Sequence, residues 1–225
     1  MVLTRQFEAM ARKMVDTQLR LRGLRDERVL EAMLQVPRHE FVPQGLVDSA
    51  YDDRPLPIGE RETISQPFIV AAMTEAARVR PGDKALDIGG GCGYQAAVLA
   101  YLGAEVCSIE INPRLAAESR ERLARLGYTH VEVIAGDGSE GFAEHAPYNV
   151  ILVSAGAPGI SPALFSQLAE GGRMVAPVGG LQRQELILMC KQSGGTITRQ
   201  LGACQFVPLV GKGGWPRDSC ARNPD

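Results

Sequence analysis

Three acidic residues carry the chemistry that can be read from this chain. The first is Asp87, in Leu86-Asp87-Ile88-Gly89-Gly90-Gly91-Cys92-Gly93-Tyr94. There a short apolar run enters a glycine cluster that opens a helical stretch. Glycines at such a turn let the backbone approach a bound molecule closely and take positive φ. A dinucleotide fingerprint, G-x-G-x-x-G, fails because Tyr94 stands in its sixth position. The pattern is instead D-x-G-x-G-x-G, and an acid two residues before the first glycine suits a ligand carrying a cation better than a pyrophosphate. S-adenosylmethionine, with an ammonium and a sulfonium, is such a ligand. The second acid, Glu110, ends Val106–Glu110 and lies 17 residues after Gly93, the spacing of an acceptor for ribose hydroxyls. The third, Asp137 in Gly136-Asp137-Gly138, follows the next apolar run and is placed to accept from an adenine amino group. A structural glycine turn and solvated loop acids are the bland alternatives; three acids at the ends of three successive strands favour the cofactor.

Those acids need a scaffold. Residues 4–36 read as helical and stop at Pro37. Residues 37–63, with four prolines and no period, read as a long loop. Helix returns over 67–80 with Pro67 in its first turn. After the Pro81-Gly82-Asp83 turn, strands at 85–88, 105–109, 131–135 and 148–154 alternate with helices at 94–102, 113–126 and a short one at 161–168. Strands at 173–177, 185–191 and 196–209 follow without helices between them. This is an α/β pattern: a Rossmann-like, doubly wound, mostly parallel sheet with an antiparallel edge and an N-terminal helical extension. The expected organisation is an N-terminal helical and substrate-loop region (1–80), a core (81–210) and a loose tail (211–225), together one structural domain.

Composition sets the outer limits. The 225 residues carry 24 Lys plus Arg against 26 Asp plus Glu, a net charge of −2, so no polybasic nucleic-acid binder is expected. Hydrophobic residues make up 45%, enough for a real core, and no apolar run approaches a membrane span. The N-terminal residues are charged throughout, which is not the pattern of a secretory signal. Five cysteines without a C-x-x-C pair and three scattered histidines lead us to expect a reduced, cytoplasmic chain with no metal. His39, His130 and His145 read as surface or packing residues. The cysteines read as inert, except Cys92, whose thiol pKa a nearby helix N-terminus would lower.

Taken together, Val36-Pro37-Arg38-His39-Glu40-Phe41-Val42-Pro43, Thr63-Ile64-Ser65-Gln66-Pro67, Gly91-Cys92-Gly93-Tyr94-Gln95, Gly136-Asp137-Gly138 and Phe206-Val207-Pro208-Leu209 resemble the protein-L-isoaspartate O-methyltransferases over roughly residues 10 to 215. The resemblance implies S-adenosylmethionine as methyl donor, S-adenosylhomocysteine as product, and methylation of the α-carboxylate of L-isoaspartyl residues in aged proteins and peptides. The ester then cyclises to a succinimide that reopens partly to aspartate. It implies Ser65 as the active-site residue, with Gln66, Val70 and Val207 facing substrate, Val207 as a strand residue pairing with the peptide. Ile64, Asp87, Gly89, Gly91, Gly93, Glu110, Asp137 and Gly138 would hold the cofactor. A monomer acting in the cytoplasm, without nucleic acid, membrane or metal, is expected. Two departures stand out. Gly59-Glu60-Arg61-Glu62 replaces a glycine-rich segment and would put charges at the pocket lip. Phe68 stands where some relatives have histidine.

The chemistry agrees with the residue types. A carboxylate nucleophile, with a pKa of about 4, is already ionised near neutral pH and needs no general base. Ser65 is then a positioning donor, or alternatively the N-cap of the helix beginning at Pro67. Two further functions stay open: a paralogue that esterifies ordinary aspartate in one dedicated peptide, and a cofactor-binding protein that transfers no methyl group. A dinucleotide oxidoreductase is disfavoured by Tyr94.

Overall fold

Strand β3 (Lys84–Ile88) is buried at four of its five positions, which only a strand covered on both faces achieves. The computed structural model describes residues 2–220 and places β3 inside a seven-stranded sheet of order β5-β4-β3-β6-β7-β8-β9. The parallel part comprises β3, β4 (Glu105–Glu110), β5 (Glu132–Ala135), β6 (Tyr148–Val153) and β7 (Leu168–Gly179). Strands β8 (Gln184–Gln192) and β9 (Gly195–Cys204) continue it antiparallel. The order reverses at β3, whose neighbours are β4 and β6, so a crevice opens at the carboxyl ends of these strands.

Helices α4 (Tyr94–Tyr101) and α5 (Pro113–Arg125) link β3 to β4 and β4 to β5. Proline at the first turn and an Asn112 cap, whose side chain accepts from Arg114 and Leu115, start α5. The short α6 (Pro162–Ser166) precedes β7, and α7 (Arg217–Cys220) follows the sheet. One core cluster joins Met14, Leu30 and Met33 of the N-terminal region to Leu99 and Leu123; a smaller one, with Ile151, Tyr148 and Leu164, fills the opposite face.

Several expected elements are revised. The N-terminal helical stretch is α1 (Val2–Met14), a π-helical turn over Val15–Leu19, a 3-10 turn ending at left-handed Gly23, and α2 (Glu27–Gln35) capped by Asp26. One face is charged and solvated; Ala11, Met14, Val15 and Leu19 are buried. The supposed loop 37–63 contains two 3-10 turns and a hairpin, β1 (Leu56–Gly59) with β2 (Glu62–Ile64). Helix α3 (Pro67–Ala77) ends three residues short of the expected position 80. Strand β7 begins at Leu168, which pairs with Tyr148 ahead of the glycine pair at 171–172. Strand β9 stops at Cys204, so Val207 lies outside it.

The tail is also not loose over 211–215. Trp215 donates its indole N–H to the Gly156 carbonyl (3.0 Å) and its backbone N–H to Leu209 (2.7 Å). The expectation for 221–225 lies outside the described residues. No described helix is long and apolar enough to cross a membrane.

Candidate active site

The turn between β3 and α4 shows why glycine recurs there. Gly89, Gly91 and Gly93 take φ of +78°, +52° and +89°. Gly90 has ordinary φ, but a Cβ on it would strike the Ser108 hydroxyl. The Gly89 and Gly90 N–H groups bond the Ile109 carbonyl (2.9 and 3.1 Å), tying the turn to β4.

Each acid meets a different environment. Asp87 is fully buried beneath the turn. Its Oδ2 accepts from the Ser108 hydroxyl at 2.9 Å, and its Oδ1 has no partner among the described residues. Burial, with the Glu110 charge adding to it against the Ser108 hydrogen bond, pushes this carboxyl up to about 7. Glu110 accepts Gly91 N–H on one oxygen and Asn112 N–H on the other, both at 2.8 Å. Each oxygen keeps a second lone pair for a ligand hydroxyl. Asp137 accepts from Ser139 N–H (2.9 Å) and from Lys212 N–H of the tail (2.8 Å). Burial opposes ionisation, but these hydrogen bonds and the Arg217 charge outweigh it and hold Asp137 below the usual carboxylate range.

Three cavities with shared walls run past Glu110 and Asp137, while Asp87 lies beneath the glycine turn that lines two of them. Ile64, Ser65 and Val70 line one end together with the glycine turn. The middle holds Glu62, Glu110, Gly138, Ser154 and Val207. The far end, about 350 Å³, is walled by Ile111, Asp137, Val210 and Trp215. Gly138 packs closely in the middle: a Cβ on it would press on Ile88 at 3.0 Å and Ile109 at 3.2 Å.

The cap of α3 is Gln66, with no side-chain cap bond, which removes the N-cap reading of Ser65. Gln66 turns its amide to Asp53 (2.7 Å), and Val70 is buried. Val207, expected in a strand, instead gives its carbonyl to Gly156 N–H (2.7 Å) in the crossing segment after β9. The Cys92 expectation reverses: burial pushes its thiol up, against Tyr94 N–H and the Arg122 charge. Glu60 is engaged by Arg114 (3.1 Å) and Arg61 is exposed, while Glu62 points into the cleft. Burial, then the Glu110 charge, pushes Glu62 up to about 7.

Sequence reasoning did not single out Arg38. It is fully buried, donates to the carbonyls of Ala50 and Ser65 (2.7 Å each), and lies over the Tyr94 ring at 4.9 Å. It thereby holds the backbone on which Ser65 sits. The proline-flanked Pro37-Arg38 to Pro43 segment was its sequence signal. Trp215 and the β1–β2 hairpin are further walls of the cleft that the sequence did not disclose.

The family model for "Protein-L-isoaspartate(D-aspartate) O-methyltransferase (PCMT)" matches residues 10–214. A protein-L-isoaspartate O-methyltransferase of Koribacter versatilis is 55% identical over 203 residues, 90% of this chain and 91% of that protein. One of Methanoculleus marisnigri is 53% identical over 203 residues, 90% of this chain and 92% of that one. Among solved structures, a protein-L-isoaspartate O-methyltransferase superposes with a TM-score of 0.80 at 30% identity, covering 90% of this chain and 66% of that one. A putative relative from Plasmodium falciparum, solved with S-adenosyl-L-homocysteine, gives 0.77 at 25% identity over 91% of this chain and 98% of that one. With a glycine turn, a ribose-spaced acid and a serine arranged along one cleft, and relatives matching nearly end to end, the chain belongs to the protein-L-isoaspartate(D-aspartate) O-methyltransferase family.

Proposed function

We propose that this protein transfers a methyl group from S-adenosylmethionine to the α-carboxylate of L-isoaspartyl residues in damaged proteins and peptides. The observation that carries the reading is the continuous cleft, with the Ser65 hydroxyl at one end and Glu110 and Asp137 along the rest. The residues present fit the donor. Asp87 Oδ1 is a buried acceptor without a partner, suited to an ammonium. Gly90 and Gly138 sit tight against Ser108 and against Ile88 and Ile109, so their bare backbone forms part of the cleft wall.

In this reading Asp87 and the turn of Gly89, Gly91 and Gly93 hold the methionyl end. Glu110 takes the ribose hydroxyls. Asp137 and Gly138 bound the adenine, and Ile64 closes the cleft beside Ser65. The donor supplies an electrophilic methyl on a sulfonium that becomes neutral on transfer. Ser65 donates one hydrogen bond to the substrate carboxylate and holds it in line with that methyl. Gln66, Val70 and Val207 bound the peptide. Alignment of this kind contributes on the order of 7–11 kcal/mol in favourable cases, and no general base is needed. The work is assigned to a monomer in the cytoplasm; among the described residues four unpaired thiols, Cys92, Cys107, Cys190 and Cys204, suit a reducing compartment.

The test is labelled-methyl transfer to an isoaspartyl peptide beside its aspartyl twin. Transfer to the first alone is expected. Equal transfer to both would favour the dedicated aspartyl paralogue, and calorimetric binding of S-adenosylhomocysteine without transfer would leave only a binding protein. The structure weakens the hint for the paralogue, because Glu60 is used in an ion pair and Glu62 faces the cofactor part of the cleft.

A further inference from the structure

Far from the cleft, at the amino ends of the strands, lies a separate cavity of about 360 Å³. Lys84 and Glu105, which begin β3 and β4, are on its wall, so it opens at the end of the sheet opposite Ile88 and Glu110. Cys107, Glu132 and His145 meet in it. Their donor atoms all lie within 4.8 Å of one another. Cys107 and Glu132 are register partners on the parallel strands β4 and β5, so two donors are set side by side by the sheet itself. His145 ends the 3-10 turn Ala143–His145, and its ring packs edge-on against Phe142 at 4.8 Å. Its Nδ1 stands 3.3 Å from Glu132 Oε2.

We propose that Cys107, Glu132 and His145 form a binding site for a divalent transition ion of the zinc class. Sulfur, imidazole nitrogen and carboxylate oxygen together select such an ion over magnesium or calcium, which take oxygen ligands. Tetrahedral bonds of about 2.0–2.3 Å hold donors roughly 3.3–3.6 Å apart. The His145–Glu132 pair is already at that spacing, and shifts of roughly 1 Å by the half-buried His145 and the exposed Glu132 toward the buried Cys107 sulfur bring all three donors within it. On binding, the Cys107 sulfur loses its proton to solvent and bonds the ion, which releases waters in exchange. The fourth position faces the cavity, where His130 and Glu144 are also on the wall. Sequence spacing conceals the site, because its ligands come from β4, β5 and a turn after β5 with no short repeat between them.

The test uses the full chain, reduced and stripped with a chelator, titrated with Co²⁺ as optical probe. Expected are one ion per chain, a thiolate-to-cobalt charge-transfer band, the intense visible bands of four-coordinate cobalt, and displacement by Zn²⁺. Cys107→Ser should abolish the charge-transfer band. His145→Ala should weaken binding at least tenfold and remove the rise in Tm that the ion confers, while its metal-free Tm and its methyl transfer stay at wild type. Absence of saturable uptake, a charge-transfer band surviving in Cys107→Ser, or a loss below tenfold in His145→Ala would each overturn the site. Should Cys107→Ser fail to fold, His145→Ala and Glu132→Gln decide by the same tenfold criterion.

Discussion

The two ends of the cofactor cleft treat the same residue type in opposite ways. Asp87, under the glycine turn, is sealed from water with one oxygen unpartnered, and its carboxyl is pushed up to about 7. Asp137, at the other end, is exposed, has both oxygens engaged by Ser139 and Lys212, and sits below the usual range. The first is a charge the fold leaves uncompensated, at a cost to the cofactor-free protein. The second is a charge the fold uses to fasten its own tail. A carboxylate at the end of a strand is therefore not a uniform signal. Its partners decide how much of it is left for a ligand and how much is committed to the fold.

The sharpest way to break that contrast is Asp87→Asn. Binding of S-adenosylhomocysteine should weaken at least a hundredfold by calorimetry, about 3 kcal/mol, while the cofactor-free protein should become more stable at neutral pH. The sign follows from linkage. A carboxyl raised from 3.8 to about 7 on folding makes the unfolded state the more ionised one, so stability falls as pH rises through that window. The full effect is on the order of 4 kcal/mol. The variant should flatten this decline in urea titrations at pH 4, 6 and 8; an unchanged slope would mean Asp87 is not the group responsible.

Next in size, Ser65→Ala should lower methyl transfer about a hundredfold, in the range for one lost positioning donor, and leave cofactor affinity within a few-fold. Wild-type turnover would remove Ser65 from the mechanism. Glu62→Gln sharpens the contrast at the middle of the cleft. Glu62 is raised to about 7 by burial and then by Glu110, so it too makes stability fall as pH rises, by about 1–2 kcal/mol after solvent screening. The glutamine variant should lose that component. Smallest, Asp137→Asn should cost about 1 kcal/mol at neutral pH from a weakened tail clamp. Its wild-type contribution is present above pH 4 and fades as pH falls through the depressed carboxyl range, the reverse of Asp87. A variant whose hydrogen exchange at Trp215 matched wild type would show that the clamp is not made through Asp137.

Parts of this were open to sequence reasoning and parts were closed for definite reasons. The β3-turn-α4 unit was visible because an apolar run, glycines at left-handed φ and a helix follow one another locally. The β1–β2 hairpin was not. Its turn residues Glu60 and Arg61 adopt φ of +53° and +63°, where asparagine and glycine are the usual markers, so the composition reads as loop. Arg38 has the same difficulty. A charged residue is expected outside, and only the carbonyls of Ala50 and Ser65, supplied by distant segments, explain its burial. The tail looked loose because Gly-Lys-Gly-Gly has no periodicity, yet Trp215 anchors it through contacts 59 residues away in sequence.

By itself the sequence determined the alternation of strands and helices, the placing of Asp87, Glu110 and Asp137 at strand ends, and the motifs that mark the family. These are properties of short, contiguous segments, where residue type and spacing act directly on backbone geometry. Only the tertiary structure decided which carboxylate keeps a vacant oxygen, which thiol is pushed up rather than down, and that Val207 lies beyond its strand. Burial and partner availability depend on what distant segments bring to the same point, and no local pattern of residues encodes that.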